Sequence, residues 1–141
     1  MEATERLIED AEKEWLETWV AGPGDKRSKL LDPGTSGPDL ELLDHTGASR
    51  RLSSFWSDGP ALLMFWRHFG CGCGLDRASR LNEEYADYLD AGINPVIIGQ
   101  GEPGRAAEYR EKYDISCPIL CDPEFEAYSA YGLAHFGVEQ V

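Results

Sequence analysis

Apolar residues recur at two different periods along this chain, and the change of period marks its organisation. Over residues 4–20, Leu7, Ile8, Ala11, Trp15, Leu16 and Trp19 fall three and four apart, with Glu and Arg on the other face. That spacing predicts an amphipathic helix. Gly22-Pro23-Gly24 stops it, and four Gly and three Pro among residues 21–38 make a linker or wrapping arm. The plain expectation is that this helix packs so as to hide its two Trp; a partner-binding helix is the alternative. From Pro38 the pattern becomes strand-like. Asp39-Leu40-Glu41-Leu42 alternates into the turn Asp44-His45-Thr46-Gly47 and returns over Ala48 to Leu52, a β-hairpin. A short helical turn is expected over Ser53 to Trp56. Ala61-Leu62-Leu63-Met64-Phe65-Trp66 is a continuous apolar run, the signature of a strand buried on both faces.

Gly70 to Gly74 breaks that run, and Leu75, Ala78, Leu81, Tyr85 and Leu89 then predict a helix ended by Gly92. Pro95-Val96-Ile97-Ile98-Gly99 is a second buried strand, 102–113 a helix, 117–121 a strand and 124–131 a short helix ended by Gly132. Strand, helix, strand, helix, strand is the order of an α/β fold with a mainly parallel sheet. The expected division is therefore 1–37, helix and linker, and 38–141, one α/β domain.

Composition narrows the class of partner. The chain has 141 residues, 42% of them hydrophobic, with 26 acidic against 13 basic side chains and a net charge of -13. Such a chain can bury a core. It lacks the basic footprint that nucleic acid or an anionic membrane surface attracts. No apolar stretch approaches the ~20 residues of a membrane span, and the charged N-terminus carries no signal-peptide pattern. The expectation is a soluble, cytoplasmic protein.

The four cysteines, at 71, 73, 117 and 121, form two close pairs. In a reducing compartment such clustering points to redox or metal chemistry rather than a disulfide framework. The first pair follows the first buried strand, in Phe65-Trp66-Arg67-His68-Phe69-Gly70-Cys71-Gly72-Cys73-Gly74, and immediately precedes a helix. Sites in open α/β sheets form beyond the carboxyl ends of strands. Amides at a helix N-terminus stabilise an anion and lower a thiol's pKa from about 8.5. Arg67 adds positive charge, and the interleaved glycines keep the backbone free to turn and the sulfurs accessible. Thiolate is both nucleophile and metal ligand. Cys117 and Cys121 flank the predicted third strand on one face, about 13 Å apart at ~3.3 Å per residue, too far for a direct disulfide. They read as packing residues, with a resolving thiol or a metal ligand as alternatives. His68 reads as a loop histidine, or else a base or a ligand; His45 and His135 carry no functional expectation. Gly99-Gln100-Gly101-Glu102-Pro103-Gly104 lacks the spacing of a phosphate loop and reads as a strand-to-helix connection.

From about Pro38 to Leu133 the chain resembles the peroxiredoxin-like branch of the alkyl hydroperoxide reductase/thiol-specific antioxidant (AhpC/TSA) family, on the thioredoxin fold. The resemblance rests on several runs: Gly37-Pro38-Asp39-Leu40-Glu41-Leu42 with Asp44 and Gly47, the Arg67-His68-Phe69-Gly70-Cys71 motif, Val96-Ile97-Ile98-Gly99, Cys121-Asp122-Pro123, and Tyr128 with Tyr131-Gly132-Leu133. It implies a thiol-dependent oxidoreductase and antioxidant that reduces peroxides or disulfides through Cys71 and Cys73. Arg67 would stabilise the thiolate and an external thiol such as thioredoxin would act as reductant, with no organic cofactor. Two departures matter. The family's Cys-x-x-Cys or Thr-x-x-Cys is replaced by Cys-Gly-Cys, so either Cys71 or Cys73 matches the attacking position. The resemblance implies two further strands and a terminal helix after Gly132, where this sequence stops at Val141, so the expectation is either a truncated chain or a sheet completed by a partner, a homo-oligomer included. The alternative functions are a metal or iron–sulfur module using Cys71, Cys73, Cys117 and Cys121, and a non-catalytic thioredoxin-fold interaction module.

Overall fold

The β-branched run Val96-Ile97-Ile98 lies in an interior strand of a five-stranded sheet. In this computed structural model residues 2–21, 31–70 and 74–133 are described; Cys71, Cys73, His135 and the Gly22-Pro23-Gly24 stop lie outside the described residues. The strands are β1 (Glu41–Asp44), β2 (Ser49–Arg51), β3 (Ala61–His68), β4 (Asn94–Gln100) and β5 (Ile119–Cys121), in the order β2-β1-β5-β4-β3. The expected hairpin is β1–β2, with Glu41 opposite Arg51. A 3-10 turn over Leu52–Phe55 follows it and buries both of those end residues.

The fold is α/β and thioredoxin-like, but its sheet is mixed rather than mainly parallel. β3–β4 and β4–β5 pair parallel, while β1 pairs antiparallel with both β2 and β5. The cause is the hairpin, which joins the sheet alongside β5 instead of standing apart from it.

Two further expectations are corrected. β3 is longer than the apolar run, reaching His68, and it is not buried on both faces. Trp66 alone is fully buried; Leu62 is exposed and Leu63, Met64 and Phe65 are half-buried. Among the described residues β3 pairs only with β4, so its outer edge is uncovered. The third strand begins at Ile119, not Cys117. The one-face argument for Cys117 and Cys121 therefore has no strand under its first member.

The helices fall where periodicity put them: α1 (Glu2–Ala21), α2 (Gly74–Asp90), α3 (Pro103–Lys112) and α4 (Glu126–Ala130). Gly92 takes φ +76°, the left-handed conformation that closes a helix. α4 is capped by the buried Asp122, whose carboxylate accepts from the amides of Glu126, Ala127 and Tyr128 at 2.8–3.2 Å. The main core gathers Trp66, Phe69, Ala78, Leu81, Ile97, Ala106, Tyr109, Ile115, Cys117, Ile119 and Cys121. The chain divides into two units, Ser36–Ala130 and the rest, each taken by itself. Within α1, the rings of Trp15 and Trp19 stack 5.7 Å apart, and both are exposed along with Leu7, Ile8 and Leu16, against the expectation that this helix hides its two Trp.

Candidate active site

The end of β3 is irregular. Register with β4 runs evenly from Ala61 opposite Asn94 to Phe65 opposite Ile98, then slips before His68 meets Gln100. Such a bulge bends the strand and re-aims its side chains. It is pinned from the far side by Tyr128, whose buried hydroxyl lies within reach of the carbonyls of Trp66 and Ile98, the latter at 3.0 Å. Burial pushes the Tyr128 phenol well above its usual range, so it remains a donor. Beyond the bulge Phe69 is buried, and Gly70 follows at φ +126°, a backbone conformation that only glycine adopts without strain.

Phe69 is held by absence of side chains. A Cβ on Gly99 would collide with its ring, and one on Gly101 would lie 2.6 Å from Cδ2. The Gly99-Gln100-Gly101 stretch is thus a seat for Phe69, which fixes where the chain leaves β3 and enters the thiol motif. Tyr109 of α3 closes the other side, its ring 5.8 Å from Phe69 and edge-on to Trp66 at 6.2 Å.

A small cleft opens here, lined by Trp66, Arg67, His68, Phe69, Gly74, Arg77 and Tyr109. Arg67 is exposed on its rim, where the sequence places a thiolate-stabilising charge. Arg77 supplies a second guanidinium from the first turn of α2, and these lining residues include no carboxylate. Sequence reasoning missed Arg77 and Tyr109. The signal for Arg77 is its place one turn past Cys73 on the predicted helix; Tyr109 has no local signal, because α3 reaches the cleft only through the fold. Asp76, also in the first turn, would oppose a thiolate, but it is exposed and ion-paired with Arg80 at 3.4 Å.

The second cysteine pair is a different environment. Cys117 is fully buried and its thiol donates to the carbonyl of Pro95 at 3.1 Å. Burial pushes its pKa up to about 12. Cys121, 3% exposed, is pushed up to about 11 by burial, with Asp44 and Glu102 adding to the shift. Both are therefore thiols, not thiolates, at neutral pH, which supports the packing reading. Among the described residues no cluster of three or more His, Cys, Asp or Glu side chains could hold a metal.

Residues 33–138 match the AhpC/TSA family. The chain belongs to that family. It is 34% identical over 92 residues to the chloroplastic thioredoxin-like protein AAED1 of Arabidopsis thaliana, covering 64% of this chain and 37% of that protein. Its fold is similar to that of the peroxidoxin BcpB of Mycobacterium tuberculosis, at TM-score 0.69 and 25% identity over 74% of this chain and 68% of that one. It is also similar to a Chlorobium tepidum protein provisionally assigned as the thiol:disulfide interchange protein DsbE, at TM-score 0.63 and 25% identity over 72% and 71% of the two chains. The chain spans 37% to 67% of the length of the curated relatives it matches.

Proposed function

We propose that this protein is a thiol-dependent oxidoreductase of peroxiredoxin-like type, with its redox centre at Cys71 and Cys73. The observation that carries the reading is the cleft at the β3–α2 junction, walled by aromatic rings and lined by two guanidiniums without a carboxylate, in a chain whose net charge is -13. Positive charge gathered at a helix N-terminus favours thiolate over thiol. With a peroxide, the thiolate sulfur attacks the terminal oxygen: an S–O bond forms, the O–O bond breaks, and the leaving alkoxide takes a proton to depart as alcohol or water. The sulfenic acid then condenses with the neighbouring thiol, releasing water and forming a disulfide. With a disulfide substrate the same thiolate forms a mixed disulfide that its neighbour resolves. In either case an external dithiol of the thioredoxin type reduces the Cys71–Cys73 bond. This chemistry suits a reducing compartment such as the cytoplasm, and the uncovered β3 edge fits a homo-oligomer.

A peroxide-consumption assay with thioredoxin or dithiothreitol as reductant tests the reading, alongside the pH dependence of alkylation of each thiol. Turnover lost on Cys71→Ser or Cys73→Ser, and one thiol titrating below the ordinary value of about 8.5, are the expected results. Release of a metal or a chromophore by all four cysteine substitutions together would instead establish the metal module.

A further inference from the structure

The turn that leaves β5 is ringed by carboxylates. Glu41 of β1, Glu102 before α3, and Glu124 and Glu126 after β5 line one cleft of about 170 Å³ with the buried Asp122. Its lining includes no basic side chain. The cleft lies beyond the carboxyl end of β5, where Leu43 of β1 stands opposite Cys121, and ligand sites of α/β sheets form at such ends. Local structure does not need most of this charge. Asp122 already accepts from the first amides of α4. Glu102 precedes α3 without a side-chain bond to its amides. Glu41 is ion-paired with Arg51 at 3.4 Å, whereas Glu102, Glu124 and Glu126 have no ion-pair partner among the described residues.

An acidic rim on its own is a solvated surface. Cys121 adds a second feature: it lines the cleft, 3% exposed, as a free thiol that makes no hydrogen bond. A buried neutral thiol offers its sulfur as an acceptor to an incoming N–H. The exposed Leu43 and Pro103 supply apolar wall beside it. Acidic rim, apolar wall and an unused buried acceptor together complement an apolar stem that ends in an N–H cation. Among the described residues no three His, Cys, Asp or Glu side chains could hold a metal. The volume is also below the roughly 300–1,000 Å³ of pockets that enclose a drug-sized molecule. A short organic chain fits both facts.

We propose that this cleft binds a primary alkylammonium group, the chemistry shared by a lysine side chain and a free alkyl amine. The site is independent of the thiol-redox reading above. Amide NMR of the full chain, titrated at low salt with pentylamine, tests it. 1-Pentanol serves as the stem without the charge, and methylamine as the charge without the stem. The expected result is saturable shifts centred on Leu43, Cys121 and Glu124 with pentylamine, and weaker binding of both controls. Glu102→Gln or Glu126→Gln should each weaken pentylamine about 2–5-fold, the effect of one exposed charge pair. Raising salt to about 0.5 M should weaken it further, because exposed charges are screened. Both glutamates are exposed, and thermal melts check that the variants keep the fold. Nα-acetyl-lysine N-methylamide distinguishes the two sources: binding equal to pentylamine assigns the cleft to a lysine of a polypeptide, weaker binding to a free amine. Pentylamine binding no better than methylamine or 1-pentanol overturns the proposal. So do shifts scattered over the acidic surface, or affinity unmoved by both Glu→Gln variants. None of these outcomes bears on peroxide turnover.

Discussion

Cys117 and the motif cysteines carry the same side chain and are expected to behave oppositely. Cys117, buried and bonded to the Pro95 carbonyl, is held as a thiol by a pKa near about 12. Cys117→Ser places a more polar hydroxyl in the same pocket, and Cys121→Ser does so beside Asp44 and Glu102. Each should lower stability by about 1–3 kcal/mol and leave turnover per folded molecule unchanged, as denaturant melts and the peroxide assay would show. Asp44 makes a second residue-scale prediction. It is 6% exposed, and burial alone would raise its pKa. The bonds it accepts from the Thr46 hydroxyl and amide and the Ala48 amide outweigh that and hold it below the usual carboxylate value. A carboxyl with a depressed folded pKa stabilises the fold above its unfolded value near 3.9 and loses that contribution as pH falls through the folded pKa. Asp44→Ala is therefore expected to cost about 1–3 kcal/mol at pH 7, and the gap to the unsubstituted protein should narrow in melts carried out near pH 3. An equal gap at both pH values would contradict this account of the hairpin turn.

At the scale of elements, the site depends on a strand that bends and a ring that is seated. The slip in register after Phe65 turns the end of β3 toward α2, and Tyr128 holds it from behind. Phe69 then occupies the space that Gly99 and Gly101 leave open. Gly99→Ala should destabilise by about 1–3 kcal/mol, the usual result of overpacking a filled interior. Much of that loss should disappear in a Phe69→Ala background, where the colliding ring is gone. A double-mutant cycle reads the difference directly. Additive losses would mean that Gly99 is needed for another reason. The glycine-rich stretch after β4 was readable from the sequence as a connection and not a phosphate loop. Its use as a seat was not readable, because the ring that fills it comes from the turn just past the neighbouring strand β3.

At the scale of the molecule, the feature with most consequence is the outer edge of β3. It carries an exposed Leu62 and half-buried Leu63, Met64 and Phe65, and pairs only with β4 among the described residues. An uncovered strand edge with apolar side chains is a template for another strand. The expected outcome in light scattering is concentration-dependent association, reduced by Leu62→Lys, since a charge on an edge strand disfavours pairing. A dispersed monomer at all concentrations in the unsubstituted protein would show that this edge is not used. Net charge of -13 works against indiscriminate aggregation, so the association should favour a defined species.

Sequence alone determined the α/β class, the order of the elements, the hairpin and the place of the thiol pair between a strand and a helix. Each of these is local: apolar period, turn chemistry and glycine stops act within a few residues of one another. The motif Arg67-His68-Phe69-Gly70-Cys71 also pointed to the family that residues 33–138 then matched. Tertiary structure decided what depends on distant neighbours. The antiparallel pairing of β1 with β5 made the sheet mixed, and the edge position of β3 exposed a run that its composition alone would bury. The unfavourable environment for ionising Cys117 and Cys121, and the arrival of Arg77 and Tyr109 at the cleft, follow from packing. Burial and approach are properties of pairs far apart in the chain, and no period along one segment encodes its partner.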